Sequence, residues 1–254
     1  MVSDADTTVP RVRSVWEDSV VQVALALSPG VSADECEAFT VVFEHLDDVE
    51  LVGVGAQLGR VVGPGGGHHV DRLFREVTDP AIVVVPGGLG CARAAVDEEL
   101  LGWLRSVAPR CDWLVASSTG TVVLAASGLL DHHEAATHWL ATPLLESYGS
   151  TASKDRVVEF GRIITCEGQI TAMHVALLVT LRMFGPDAVR RVREEMARPG
   201  LPTTTRTDRW RARLDPRRSK HAAVGPPRPR NPELVAPDII EFDEPTTTRH
   251  ARRR

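Results

Sequence analysis

A chain of 254 residues, 43% of them hydrophobic, can bury one sizeable core, because the buried fraction of surface rises with length and single cores extend to about 250 residues. The formal net charge of −5 is unevenly divided: from Pro199 onward 13 Lys/Arg meet 7 Asp/Glu, giving +6, so residues 1–198 carry −11. An acidic globular part argues against nucleic acid as the main partner, no apolar run reaches the roughly 18 residues of a membrane span, and Met1 to Pro10 is too polar for a secretory leader, so a soluble cytoplasmic protein is expected.

Residues 1–18 are read as a flexible N-terminus, followed by one α/β domain over 19–198. Val20 to Leu27 predicts a buried strand, Ala33 to Leu46 a helix and Val49 to Gly55 a second strand. The paired His68-His69 follow Gly65-Gly66-Gly67 and are expected in a mobile loop. Ala81 to Val85 is a wholly apolar strand ending in Pro86-Gly87-Gly88, followed by a helix over Val96 to Val107. Trp113 to Ala116 predicts another buried strand, and Thr119 to Leu129 a helix that stops at a Gly-Leu-Leu-Asp turn. A short strand near Ala135 to His138, a hairpin of Arg156 to Phe160 with Arg162 to Cys166, and a helix from Ile170 to Phe184 come next. Pro186 opens a last helix, with Val189, Val192 and Met196 on one face. Continuous apolar strands alternating with helices specify a mainly parallel sheet covered on both faces.

Nine of the 17 prolines fall after residue 198, among Thr and Arg and with almost no apolar periodicity, so 199–254 reads as a disordered tail with a solvated Arg252-Arg253-Arg254 end. The four cysteines, Cys36, Cys91, Cys111 and Cys166, have no metal-ligand spacing and are expected as reduced, mostly buried thiols. The histidines lack carboxylates or cysteines at ligand spacing, so neither a metal nor another cofactor is expected.

Chemistry concentrates at Trp113 to Leu130, where an apolar strand meets a helix through Ser117-Ser118-Thr119-Gly120. A sharp strand-to-helix turn needs small residues on either side of its apex, and Ala116 and Gly120 flank Ser118 at two positions each way. Ser118 is the candidate apex, exposed above the carboxyl ends of the strands and near the first free N–H groups of the next helix. The alternative is that Ser118 and Thr119 simply cap that helix.

Five ordered segments resemble the ThiJ/PfpI family, closest to its isonitrile-hydratase branch. They are Val85-Pro86-Gly87-Gly88, Ser118-Thr119-Gly120, Ala126 to Asp131 (ASGLLD), Ala136-Thr137-His138-Trp139 and Thr165-Cys166-Glu167-Gly168. The resemblance covers roughly residues 19–197. It implies a flavodoxin-like, doubly wound α/β fold with a nucleophile elbow, and a homodimer. It also implies a small-molecule pocket in which Glu35, six positions into the segment that starts at Gly30, stands beside the elbow. Without it, Glu35 reads as a solvated helix-face glutamate beside Asp34 and Glu37.

Two departures from the family pattern change the chemistry. Ser118 replaces the nucleophilic cysteine, and a hydroxyl is a weak nucleophile unless a base takes its proton, so redox sensing and thiolate addition are not expected. The late helix reads Ile170-Thr171-Ala172-Met173-His174 where relatives have Ser-Ala-Gly-Ile-Asp, which puts His174 in place of an aspartate. His138 and His174 read by themselves as buried, hydrogen-bonded histidines; the resemblance places them at substrate-binding positions.

The leading expectation is an enzyme of small-molecule metabolism that hydrates, eliminates or cyclises by acid/base chemistry. Glu35 moves the proton, Ser118 and Thr119 bond substrate or water, and Gly87-Gly88 supply oxyanion donors. A catalytically silent binding module is the second reading. The helix-turn-helix pair of the family's regulators has no counterpart after Arg198, which argues against DNA as a ligand. A serine hydrolase using Ser118 and His138 is the third.

Overall fold

A computed structural model describes residues 20–198, all within one compact unit. The readings of 1–18 and 199–254 lie outside the described residues. Seven strands form the central sheet in the order β10-β11-β7-β6-β1-β2-β5. Its middle consists of β1 (Val21–Ala26), β2 (Val49–Gly55), β6 (Ile82–Val85), β7 (Trp113–Ser117) and β11 (Ile163–Cys166), all parallel to one another. At one edge β10 (Val157–Phe160) joins β11 antiparallel, and at the other β5 (Arg72–Leu73) adds two residues to β2.

Side chains alternate across each strand, so the sheet separates two cores. Val21, Val23, Leu25, Val84, Trp113 and Val115 face α1 (Ala33–Phe43), α6 (Gln169–Phe184) and α7 (Pro186–Met196). Ala24, Ala26, Val83, Val85, Leu114 and Ala116 face α2 (Cys91–Ala94), α3 (Glu98–Val107), α4 (Gly120–Ala126) and α5 (Thr142–Ser147). This is the mainly parallel sheet covered on both faces that the pattern predicts, in the doubly wound, flavodoxin-like α/β plan that the resemblance implies.

The boundaries shift where local chemistry intervenes. The helix expected from Val96 starts at Glu98, because the Asp97 carboxylate caps it by accepting the N–H groups of Glu99 (3.1 Å) and Leu100 (3.3 Å). In α7, Ala188 and Val192 are the buried residues, while Val189 and Met196 are half-buried.

One expectation is overturned. His68 and His69 are not in a mobile loop but in β4 (Gly66–Val70), paired antiparallel with β3 (Gly59–Gly63). Pro64-Gly65, with Gly65 at φ +79, closes the hairpin as a type II turn requires. Gly63 lies so close to α1's approach that a Cβ there would sit 1.9 Å from the Val31 carbonyl oxygen. Gly63 and Gly67, where a Cβ would come 2.7 Å from the Val61 carbonyl oxygen, therefore serve tight packing, and Gly65 serves the turn. His69 Nδ1 meets Asp71 Oδ1 at 2.9 Å, and Asp71 Oδ2 accepts the Gly53 N–H at 2.9 Å, which ties the hairpin to β2.

Candidate active site

The strand-to-helix turn after β7 is real and sharp. Ser118 sits at its apex with φ +54, a conformation rare outside glycine, but the residue is buried rather than exposed as expected, because the loop after β6 packs against it. Several bonds hold it there. The Ser118 N–H donates to the Cys166 carbonyl (2.8 Å), and its own carbonyl accepts from Thr137 Oγ1 (2.9 Å). Thr121 Oγ1 donates to the Ala136 carbonyl, and the Ala136 N–H donates to Thr165 Oγ1, each at 2.9 Å. The Ala136 to Trp139 segment is thus laced onto the turn. Glycine is required at position 120, where a Cβ would lie 2.2 Å from the Val85 carbonyl oxygen.

Glu35 enters from the first turn of α1. Its carboxylate meets Ser117 rather than Ser118: Ser117 Oγ donates to Glu35 Oε2 at 2.7 Å. Alternation along β7 explains why. Trp113 and Val115 face α1 and α6, so Ser117, next in that row, faces them too. Burial pushes the Glu35 carboxyl above its ordinary range. The Ser117 hydroxyl, nearby His138 and the Gln169 N–H pull it down, while the Asp34 charge pushes it up.

The other expected site residues fall as follows. Thr119 Oγ1 accepts the Gly88 N–H at 2.8 Å and donates to the Gly88 carbonyl at 2.9 Å. The Gly88 N–H is therefore occupied, which corrects the expectation that it serves an oxyanion and that Thr119 faces substrate. Together they clamp the loop after β6 to the turn. The Gly87 carbonyl accepts the Ser32 N–H (2.9 Å), and a Cβ on Gly87 would lie 2.7 Å from Ser118 Cβ, so Gly87 is a close-packing residue.

His138 is half-buried, and its charge acts on the Glu35 carboxyl. Its Nδ1 accepts the Leu140 N–H at 3.3 Å. In the neutral ring the proton then sits on Nε2, so His138 is not arranged to take the Ser118 proton, and the serine-hydrolase reading gains no support. His174 is exposed on α6, contrary to its reading as a buried histidine.

Ser117 is the functional side chain that sequence reasoning passed over. Its signal was a polar residue at the carboxyl end of an otherwise apolar central strand, where ligands gather in α/β sheets. Among the described residues no group of three or more His, Cys, Asp or Glu could hold a metal ion, and no helix is long and apolar enough to cross a membrane.

Cys36, Cys111 and Cys166 are buried, and burial pushes their thiols up, those of Cys111 and Cys166 to about 12. Cys91 is half-buried. A chromogenic disulfide is expected to titrate one thiol per native chain, Cys91, and all four in denaturant, without loss of ligand binding or turnover. Inactivation traced to Cys36 or Cys166 would place a thiol in the chemistry after all.

A parallel sheet with its turn at the carboxyl end of a central strand, and a carboxylate delivered from the first helix, define an α/β protein of flavodoxin-like plan. The chain belongs to the DJ-1/PfpI family, whose model matches residues 21–180. It is 34% identical over 152 residues to an isonitrile hydratase of Pseudomonas putida. That match covers 60% of this chain and 64% of the relative, so the chain spans less than two thirds of the relative's length. Its fold is similar to that of a ThiJ/PfpI family protein from Pseudomonas syringae (TM-score 0.67, 21% identity, 79% of this chain and 84% of that one). It is also similar to Schizosaccharomyces pombe DJ-1 (TM-score 0.60, 20% identity, 70% and 100%).

Proposed function

We propose that this protein is a cytoplasmic enzyme of small-molecule metabolism that adds water to, or eliminates or cyclises, its substrate by acid/base chemistry at Glu35. The observation that carries this reading is the half-buried Glu35 carboxyl, anchored by Ser117 Oγ next to the Ser118 apex. Burial favours its protonated form, which suits a group that must donate a proton and recover it near neutral pH.

The identity with isonitrile hydratase makes an isonitrile the first substrate to test. The Glu35 acid gives its proton to the terminal isonitrile carbon, water adds to that carbon, and the carboxylate takes a proton from the added water. The resulting imidic acid tautomerises to an N-substituted formamide. No sulfur is needed at any step. Ser118 and the Nε2–H of His138 are the groups available to orient the water or the substrate.

Incubation with alkyl and aryl isonitriles, followed by NMR of the formyl proton, tests the reading. Consumption by the wild type and its loss in Glu35→Gln support it. Binding of such ligands without turnover by the wild type would favour the silent-module reading, to which the serine at the apex lends some weight.

A homodimer is also proposed. Trp139, Leu140 and Ile170 are 74%, 65% and 64% exposed and follow directly on His138 and Gln169, so an apolar border runs beside the site. Light scattering is expected to give twice the chain mass of 27.6 kDa; a monomer at micromolar concentration would refute it.

A further inference from the structure

Two adjacent hydroxyls, Ser117 and Ser118, lie at the turn, and the Glu35 carboxylate takes its hydrogen bond from the first of them. We propose that Ser117 is the positioning residue of this site. Its hydroxyl holds Glu35 Oε2 and keeps the carboxyl facing substrate or water, so that Glu35 does not act as a base for Ser118. The inference deepens the acid/base reading above and rests on it for the chemistry that Glu35 performs.

The geometry has three parts. Ser117 is 0% exposed and ends β7 in register with Cys166 of β11, so its Cβ direction is fixed by a strand with parallel neighbours on both sides. Its single hydroxyl proton goes to Glu35 Oε2 at 2.7 Å. The carboxyl is also bounded from the start of α6, where a Cβ on Gly168 would come within 3.7 Å of Oε1. A carboxyl tied to a donor on a buried strand and bounded by a helix start cannot swing freely toward the apex.

The chemistry agrees with the geometry. A hydrogen bond to a partly buried carboxylate favours its charged form against the desolvation that opposes it. Ser117 therefore tunes the proton affinity of Glu35 as well as its position. An apolar side chain at 117 would leave the carboxylate oxygen short of one donor.

The test reads the titration of the Glu35 side-chain carboxyl by carbon NMR, with its signal assigned through its absence in Glu35→Gln. Ser117→Ala is expected to move the Glu35 midpoint to higher pH, whereas Ser118→Ala leaves it in place. Ser117→Cys, which keeps the volume but donates weakly, is expected to move it in the same direction and serves if the alanine variant does not fold. The wild-type Ser118 is expected to resist a fluorophosphonate probe across the Glu35 titration. An unmoved midpoint in both Ser117 variants, a shift in Ser118→Ala, or Ser118 labelling that follows Glu35 ionisation would each overturn the assignment. Because the titration needs no substrate, a lack of turnover would count against the proposed function and not against this role.

Discussion

Glu35→Gln is expected to lower turnover by about 100-fold or more while leaving the protein at least as stable at neutral pH. The amide keeps the length of the side chain and an acceptor for the Ser117 hydroxyl, but it has no proton to exchange. Stability follows from the direction of the carboxyl's shift. Folding raises its proton affinity, so Glu35 stabilises the fold most below its ordinary 4.5, and that contribution is lost as pH rises through the raised native value. Glutamine has no such dependence, and the stability gap between variant and wild type should widen over that interval. Ser118→Ala is expected to reduce turnover less than Glu35→Gln, since a bond that orients water contributes less than the proton donor. Ser118→Cys should fold normally, because the φ +54 apex depends on backbone bonds to Cys166 and Thr137 rather than on the side chain. If Ser118→Ala abolishes turnover and an acyl adduct is trapped on Ser118, the nucleophile is the serine and the acid/base reading is lost.

The second large effect is on stability. Gly120→Ala is expected to cost about 3 kcal/mol in urea denaturation, at the upper end of what overpacking usually costs. The added Cβ would meet the Val85 carbonyl oxygen at 2.2 Å and the Pro86 carbonyl carbon at 2.9 Å, both rigid backbone. Gly102→Ala is the control. It lies inside α3, where the nearest atom to a new Cβ is Arg105 Nη2 at 3.9 Å, so alanine should stabilise by about 0.5–1 kcal/mol from helix propensity. Equal losses in the two variants would mean that close approach at the turn is not what selects glycine at 120.

The central sheet was legible because a strand buried on both faces leaves a continuous apolar run. Val49–Gly55 matched its expected bounds, and Trp113–Ser117 extended by one residue. The β3–β4 hairpin was missed because glycines read as punctuation, and nothing local distinguishes a glycine that loosens a loop from Gly63, which a neighbouring carbonyl demands. The site was legible as an address rather than as a wiring diagram. Glu35 reaches the turn that carries Ser118, but which hydroxyl the carboxylate meets depends on the parity of β7 and its register with β11, and both are tertiary facts. The same holds for Thr119 and Gly88, 31 positions apart in sequence, whose mutual bonds displaced the oxyanion role expected of them.

The shortness of the sheet's two margins has a further consequence, for self-association through the backbone. An open sheet margin is a template on which another extended chain can crystallise into a growing ladder. Here one margin is the two-residue β5 and the other the four-residue β10, whose Glu159 is gripped in a fork by Arg182 of α6 at 2.6 and 2.9 Å. Phe160, at the end of β10, is covered in part by the ring of His133, with centroids 3.5 Å apart. A foreign strand would find only a few rungs at either margin, one of them crossed by a charged fork. The margins of the central sheet are thereby guarded against fibrous assembly.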